Sequence, residues 1–407
     1  MSSDNYKVTL AGQALIEQPI DGETAQASRL IEEIRASDLA VTNFEGTLDA
    51  PHTWPLKAKT MHVATPAALE SLRKLGFNAL ALANNHAFDL GPPALTATRT
   101  HAQACGFATA GSGDDIGAAG APGIVVAGGR RAALLAFDLG PQLDMVYAGP
   151  QRAGINPLRI RSELAMPADD VARLAAISQS CGYAEKFARR VQVGYSDAGP
   201  VDSLNFFGIN VKSGELISEH RYADRDDLAR ALQAIRSARA DADLVVVSAH
   251  NHHWESNWAA APAWLTALCA ELVDAGADIV FCHGAPVLQG MTLHRGRPIF
   301  HGLGNLIFHT ARAPRYDNAG IDVWRSAIAI CQFNAENTLH SVCIQPIQVG
   351  LPLSKCNGAT IPSAPRILEG PQAEETVNRF LDHSTLSGVD VNRDDGTCVI
   401  RVPAIYP

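Results

Sequence analysis

Four short stretches supply residue types that bind divalent cations: Glu45 in Asn43-Phe44-Glu45-Gly46, Asn85 in Ala83-Asn84-Asn85-His86, His250 in Ser248-Ala249-His250 and His283 in Cys282-His283-Gly284. Each follows a short apolar run that reads as a strand, so each lies in a loop leaving a strand's end. One carboxylate, one carboxamide and two imidazoles converging from such loops suit a single divalent metal. Imidazole and carboxylate favour Mn, Zn, Fe or Co, and the amide oxygen leans toward Mn or Ca. Taken singly, each residue has a plainer reading. An asparagine here caps the following helix as readily as it binds metal, and a histidine after a strand is often a satisfied core residue.

Next to these candidates stand groups suited to proton transfer and substrate binding. His86 adjoins Asn85, and its imidazole titrates near neutrality, which makes it the first acid/base candidate. Asp89, one turn on, either orients His86 or caps the helix that follows. His252 belongs to the polar run His250-Asn251-His252-His253-Trp254-Glu255 and is the second acid/base candidate. Lys57, Lys59 and Arg152 offer positive charge to a substrate carboxylate or phosphate, and His301 immediately precedes the Gly302-Leu303-Gly304-Asn305 turn. Each of these cations, taken alone, also fits a solvated surface. Cys282 reads as packing rather than as a nucleophile, and neither a Ser-His-Asp pattern nor a phosphate-cradling glycine loop is present.

The elements that must position these residues alternate in the manner of an α/β protein. Predicted strands at 8–10, 39–42, 78–82, 244–247 and 278–281 are separated by predicted helices at 23–36, 66–74, 92–105, 226–238 and 261–274. Gly123 to Ala127 and Arg131 to Asp138 read as a hairpin, and 326–333 with 339–349 as an antiparallel pair. Between about Leu139 and Tyr222 the alternation is lost apart from a helix near 168–176. That stretch has too many apolar residues for disorder, so 139–222 is expected to be an insertion that shapes the substrate pocket. Residues 351–407, with a helix at 373–381 and a strand at 398–402, form a C-terminal extension to one large domain spanning 1–407.

Composition narrows the function. With 47% hydrophobic residues over 407, the chain buries a large core. A net charge of -9 without clustered Lys and Arg argues against nucleic acid as a partner. No apolar run spans a bilayer and the N-terminus lacks a leader pattern, so no membrane anchor and a cytoplasmic location are expected. The eight cysteines are scattered without a CxxC pair, as for buried thiols in a reducing compartment.

Set together, Asn43-Phe44-Glu45-Gly46, Ala83-Asn84-Asn85-His86-Ala87-Phe88-Asp89-Leu90-Gly91, Gly276-Ala277-Asp278-Ile279-Val280 with His283-Gly284, and Leu303-Gly304-Asn305 resemble the CapA family of poly-γ-glutamate capsule biosynthesis proteins, over roughly residues 8 to 350. The resemblance implies a metallophosphatase-like four-layer α/β/β/α sandwich with metal ligands on loops at strand ends. It places the family's metal-binding acid on Glu45, its asparagine on Asn85, its catalytic histidine on His86, and later histidines on His250 and His283. Two positions depart. The family's early Gly-Asp is Gly12-Gln13, and the second histidine of its Gly-His-x-Pro-His stretch is Pro286. These losses fall on one ion of a two-metal pair, so one well-formed divalent metal is expected. The implied function is a metal-dependent hydrolase of a small carboxylate-bearing amide, peptide or ester, with His86 giving a proton to the leaving group. The alternatives are a metal-assisted epimerase or isomerase using His86 and His252, and a non-catalytic capsule or polymer-handling protein.

Overall fold

The computed structural model describes residues 5–20, 24–57, 60–142, 144–356, 359–394 and 396–403. The chain divides into two compact units, the first made of residues 1–158 and 226–407 and the second of 159–225.

In the first unit, among the described residues, the strands form two large sheets. The ten-stranded sheet is centred on strand Tyr6–Leu15, which runs parallel to Leu39–Phe44 on one side and antiparallel to Arg325–Phe333 on the other. Ala79–Ala81 and Ala108–Ala110 extend it in parallel, and Asn305–Phe308 pairs with the end of the first strand. In the six-stranded sheet, Arg130–Asp138, Leu244–His250 and Ile279–His283 lie side by side in parallel. Val8, Leu10, Val41 and Ala81 of the larger sheet share a buried cluster with Leu134, Ala136, Val246 and Phe281 of the smaller. Residues of opposite parity, including Ala11, Ala40 and Leu80, pack instead with Leu30, Ile34, Leu69 and Leu72 of the helices Ala25–Arg35 and Pro66–Leu75. Both faces of the central strands are buried, which explains why they read as continuous apolar runs.

Helix boundaries follow local chemistry. Pro66–Leu75 begins where the Thr65 hydroxyl accepts a hydrogen bond from the Ala68 amide, and it ends at Gly76, whose φ of 116° suits only glycine. Gly12 is fixed by crowding instead, since a Cβ there would fall 2.0 Å from the Gly304 carbonyl oxygen.

The second unit carries more regular structure than its sequence predicts. Strand Ile160–Met166 pairs antiparallel with Ser218–Ala223 and parallel with Ile209–Ser213, which returns to Leu204–Phe206. Helices Ala168–Ser180 and Tyr183–Gln192 accompany them, and Tyr183 stacks on Phe207 with ring centroids 4.3 Å apart. These strands escape periodicity because their residues are mostly half-buried or exposed, as in Ser218-Glu219-His220-Arg221. Residues 139–158, expected to belong to the insertion, lie in the first unit. No helix among the described residues is long and apolar enough to cross a membrane, and all eight cysteines are free thiols.

Candidate metal centre

The parallel strands of both sheets run so that their C-terminal ends deliver the polar residues. In the smaller sheet His250 is in register with His283 on one side and Asp138 on the other. In the larger sheet Gln13 is in register with Asn43, two residues before Glu45. Asn84 ties the loops together: its amide nitrogen donates to Asn43 Oδ1 and to the Phe44 carbonyl, while its Oδ1 accepts from the His86 amide. The pair Asn84-Asn85 therefore divides its labour, with Asn84 holding backbone and Asn85 facing the histidines.

His250 is the hub. Its Nε2 lies 2.8 Å from Asn85 Oδ1, 2.9 Å from His252 Nε2 and 3.9 Å from Glu45 Oε1. Glu45, His250 and His252 present donor atoms that all lie within 4.8 Å of one another. His283 meets the other ring nitrogen of His250, Nδ1 to Nδ1 at 2.7 Å, and its Nε2 lies 2.6 Å from the Ser248 hydroxyl. Of the four residues expected as ligands, Glu45 and Asn85 thus lie on the Nε2 side of His250 together with His252, whereas His283 lies on its Nδ1 side.

The electrostatics fit a cation. Burial pushes the Glu45 carboxyl up to about 8, the nearby Lys57 ammonium opposing this and Asp89 and Asp138 adding to it. Its Oε2 is buried with no hydrogen-bond partner among the described residues. Burial holds His250 well below the usual imidazole range and brings His283 down to about 3, so both are neutral, the form that binds metal. An orphaned carboxylate oxygen beside neutral imidazoles is a site that gains from a divalent ion.

Beside this group, His86 Nδ1 lies 2.7 Å from Asp89 Oδ2, which leaves Nε2 as the ring's open nitrogen. Burial brings His86 down to about 4, against the pull of Asp89, and Asp89 itself is held low by His86 and Lys57 in spite of its burial. Lys57 is not a substrate cation in this arrangement. Its ammonium is 2.6 Å from Asp89 Oδ1, donates to the Asn85 carbonyl, and is 1% exposed. Lys57→Met should leave Asp89 buried against one charge fewer and destabilise the fold by about 3–5 kcal/mol. Chemical denaturation measures this, and a loss under about 1 kcal/mol would show that the pair does not anchor the loop.

A cavity of about 660 Å3 opens onto the group, lined by Glu45, Asn85, His86 and His252 together with Trp254, Arg312 and others. Arg152 and His301 are not among its lining residues, and Lys59 lies outside the described residues. Arg152 donates instead to the Tyr147 carbonyl. His301 is buried, with Nε2 3.3 Å from the Thr292 hydroxyl, and burial brings it down to about 4. The folded value lies below the unfolded one near 6.5, so His301 contributes stability that is complete above pH 6.5 and lost as pH falls through 4. The contribution is on the order of 3 kcal/mol. His301→Gln should flatten the decline of Tm between pH 6.5 and 4; an unchanged decline would place the acid sensitivity elsewhere.

The two departures from the family pattern meet in one neutral network. Gln13 Oε1 accepts from the Gly284 amide at 2.8 Å, and its Nε2 donates to Asn305 Oδ1 at 2.9 Å. The Asn305 amide nitrogen donates in turn to the carbonyls of Pro286 and Val323.

Residues 7–310 match the profile of the bacterial capsule synthesis protein PGA_cap family. The chain belongs to that family. The uncharacterized protein y4sH of Sinorhizobium fredii is 24% identical over 98% of this chain and 94% of its own length. A probable polyglutamine synthesis accessory protein of Mycobacterium tuberculosis is 27% identical over 72% of this chain and 61% of its own. The capsule biosynthesis protein CapA of Bacillus anthracis is 38% identical over 20% of this chain and 19% of its own. The PGA_cap match covers every residue of the Glu45, Asn85, His250 group and ends two residues before Arg312. Arg312 and Trp254, which line the cavity, were not singled out as site residues from the sequence. For Arg312 a signal existed, since it is the first cation after the strand Asn305–Phe308 that leaves the glycine turn.

Proposed function

We propose that the chain is a hydrolase of a small carboxylate-bearing amide, peptide or ester, using one divalent metal held by Glu45, Asn85 and His250, with His252 completing the set. The observation that carries this reading is the buried Glu45 oxygen, without a hydrogen-bond partner among the described residues, beside neutral imidazoles in the wall of a cavity of about 660 Å3. In this reading the two sheets and their flanking helices form the four-layer α/β/β/α metallophosphatase-like sandwich. The metal is Mn, Zn, Fe, Co or Ca, and when bound it polarises a carbonyl oxygen and acidifies water.

The chain's own residues do the rest. His283 accepts the Nδ1 proton of His250 and donates from Nε2 to Ser248, which fixes the tautomer that leaves His250 Nε2 for the cation. His86 starts neutral, because burial outweighs Asp89, so it accepts a proton at Nε2 from the water that attacks the carbonyl and gives that proton to the amine or alcohol as the scissile bond breaks. Asp89 holds the Nδ1 proton throughout. Gln13 is uncharged, its Oε1 accepting from Gly284 and its Nε2 donating to Asn305, so it offers a second ion no anionic ligand, which supports one metal rather than two.

The test is turnover of N-acylated glutamate amides and esters by the metal-loaded protein in deuterated water. Bond cleavage, abolished by chelation and restored by metal, is expected. Solvent deuterium entering unbroken substrate without cleavage would replace hydrolysis by proton exchange at carbon.

A further inference from the structure

Arg312 is the one Lys or Arg among the described residues that line the cavity. Its guanidinium donates from Nη2 to the Thr60 hydroxyl at 2.5 Å, and its own amide donates to the Thr310 hydroxyl at 3.1 Å. No carboxylate pairs with it among the described residues. The cations around it differ: Arg325 holds Asp322 and Glu375, Arg379 holds Asp322, and Lys355 holds Asp317 on the same short helix that Arg312 precedes. A guanidinium has five N–H donors, and one hydroxyl leaves a planar edge open for bidentate contact.

The surroundings define what that edge takes. Phe308 and Tyr316 pack edge to face with centroids 5.5 Å apart, and with Trp254 and Pro286 they give the cavity apolar walls. Glu45 and Asp144 are the carboxyl groups among the lining residues and Arg312 is the guanidinium, so Arg312 is the side chain in that lining that offers an anion a permanent positive charge. We propose that Arg312, steadied by Thr60 and Thr310, binds a non-reacting carboxylate of the substrate, whose apolar stem lies along Phe308, Tyr316 and Trp254. The substrate class is then an acyl compound with a second, free carboxylate. This deepens the hydrolase reading of the same cavity, on which it rests for the scissile bond but not for the anion.

The experiment is calorimetric titration of the full-length protein with glutarate, with its neutral analogue glutaramide and with inorganic phosphate. Saturable glutarate binding is expected, with no binding of glutaramide at the same concentrations. Arg312→Gln should raise the glutarate Kd at least ten-fold, and Arg312→Lys should fall between, because it keeps the charge and loses the fork. The Arg312-dependent binding should persist when divalent metal is removed by chelation, so failure of the metal reading leaves this result standing. Equal glutarate affinity in wild type and Arg312→Gln, or no saturable binding by wild type, overturns the proposal while leaving metal-dependent cleavage untouched. Tighter binding of phosphate than of glutarate, with the same loss in Arg312→Gln, overturns the carboxylate assignment.

Discussion

Glu45→Gln is expected to lower divalent metal affinity by more than about a hundred-fold, since even partners outside the ligand set are commonly worth ten- to a hundred-fold. The substitution keeps the side chain's volume and one acceptor oxygen. It removes only the ability to become an anion, the property that Oε2, buried and partnerless, lacks any protein group to use. Because burial already pushes the carboxyl up to about 8, the metal-free protein should fold as stably with glutamine as with glutamate. Elemental analysis after dialysis reads the result: near one ion per chain in the wild type and a trace in the variant, with Tm of the chelated proteins matching. Full occupancy in Glu45→Gln would sink the ligand set. The histidines can be ordered by the same measurement. His252→Ala should cost more metal than His283→Ala, because His252 meets the Nε2 of His250 that faces Glu45, while His283 meets Nδ1.

Which of these relations the sequence carried depends on the kind of information each needs. The strands ending in Phe44, His250 and His283 were legible because apolar runs buried on both faces leave a one-dimensional trace, and a polar residue ending such a run stands out. The helix Pro66–Leu75 was legible from its proline start and glycine stop. The second unit was not, since strands such as Ser218–Ala223 present no buried face to impose a period of two. Within the site, residue type pointed to candidates but carried no sidedness. Whether His252 or His283 shares a face with Glu45 depends on which ring nitrogen each imidazole presents to His250, which spacing does not encode. Lys57 looked like a substrate cation because a lysine in a proline-rich link is ordinarily solvated. Here the link folds inward, and the charge neutralises Asp89 at 2.6 Å. Gln13 and Pro286 were read as losses. Their positions are filled by a hydrogen-bonded amide network through Asn305, which holds Gly284 and Pro286 at the cavity wall.

His86→Ala should lower turnover by about 10²–10⁴-fold with the metal content unchanged, a separation that distinguishes proton transfer from ligation. The imidazole lines the cavity with Nδ1 committed to Asp89, so truncation removes a proton carrier and leaves Glu45, Asn85 and His250 in place. The cost to folding should be small for the size of the change. Burial already holds His86 neutral at about 4, so no paired charge is broken, and Asp89 keeps Lys57 and the His62 amide. Asp89→Asn sharpens the assignment. Asparagine can still accept from Nδ1–H, yet it loses the negative charge that favours the imidazolium as the proton arrives, so turnover should fall by less than in His86→Ala. If His86→Ala instead loses its metal while Asp89→Asn keeps full activity, His86 supports the ligand loop and the proton carrier must be sought among the other imidazoles lining the cavity, His62 and His252.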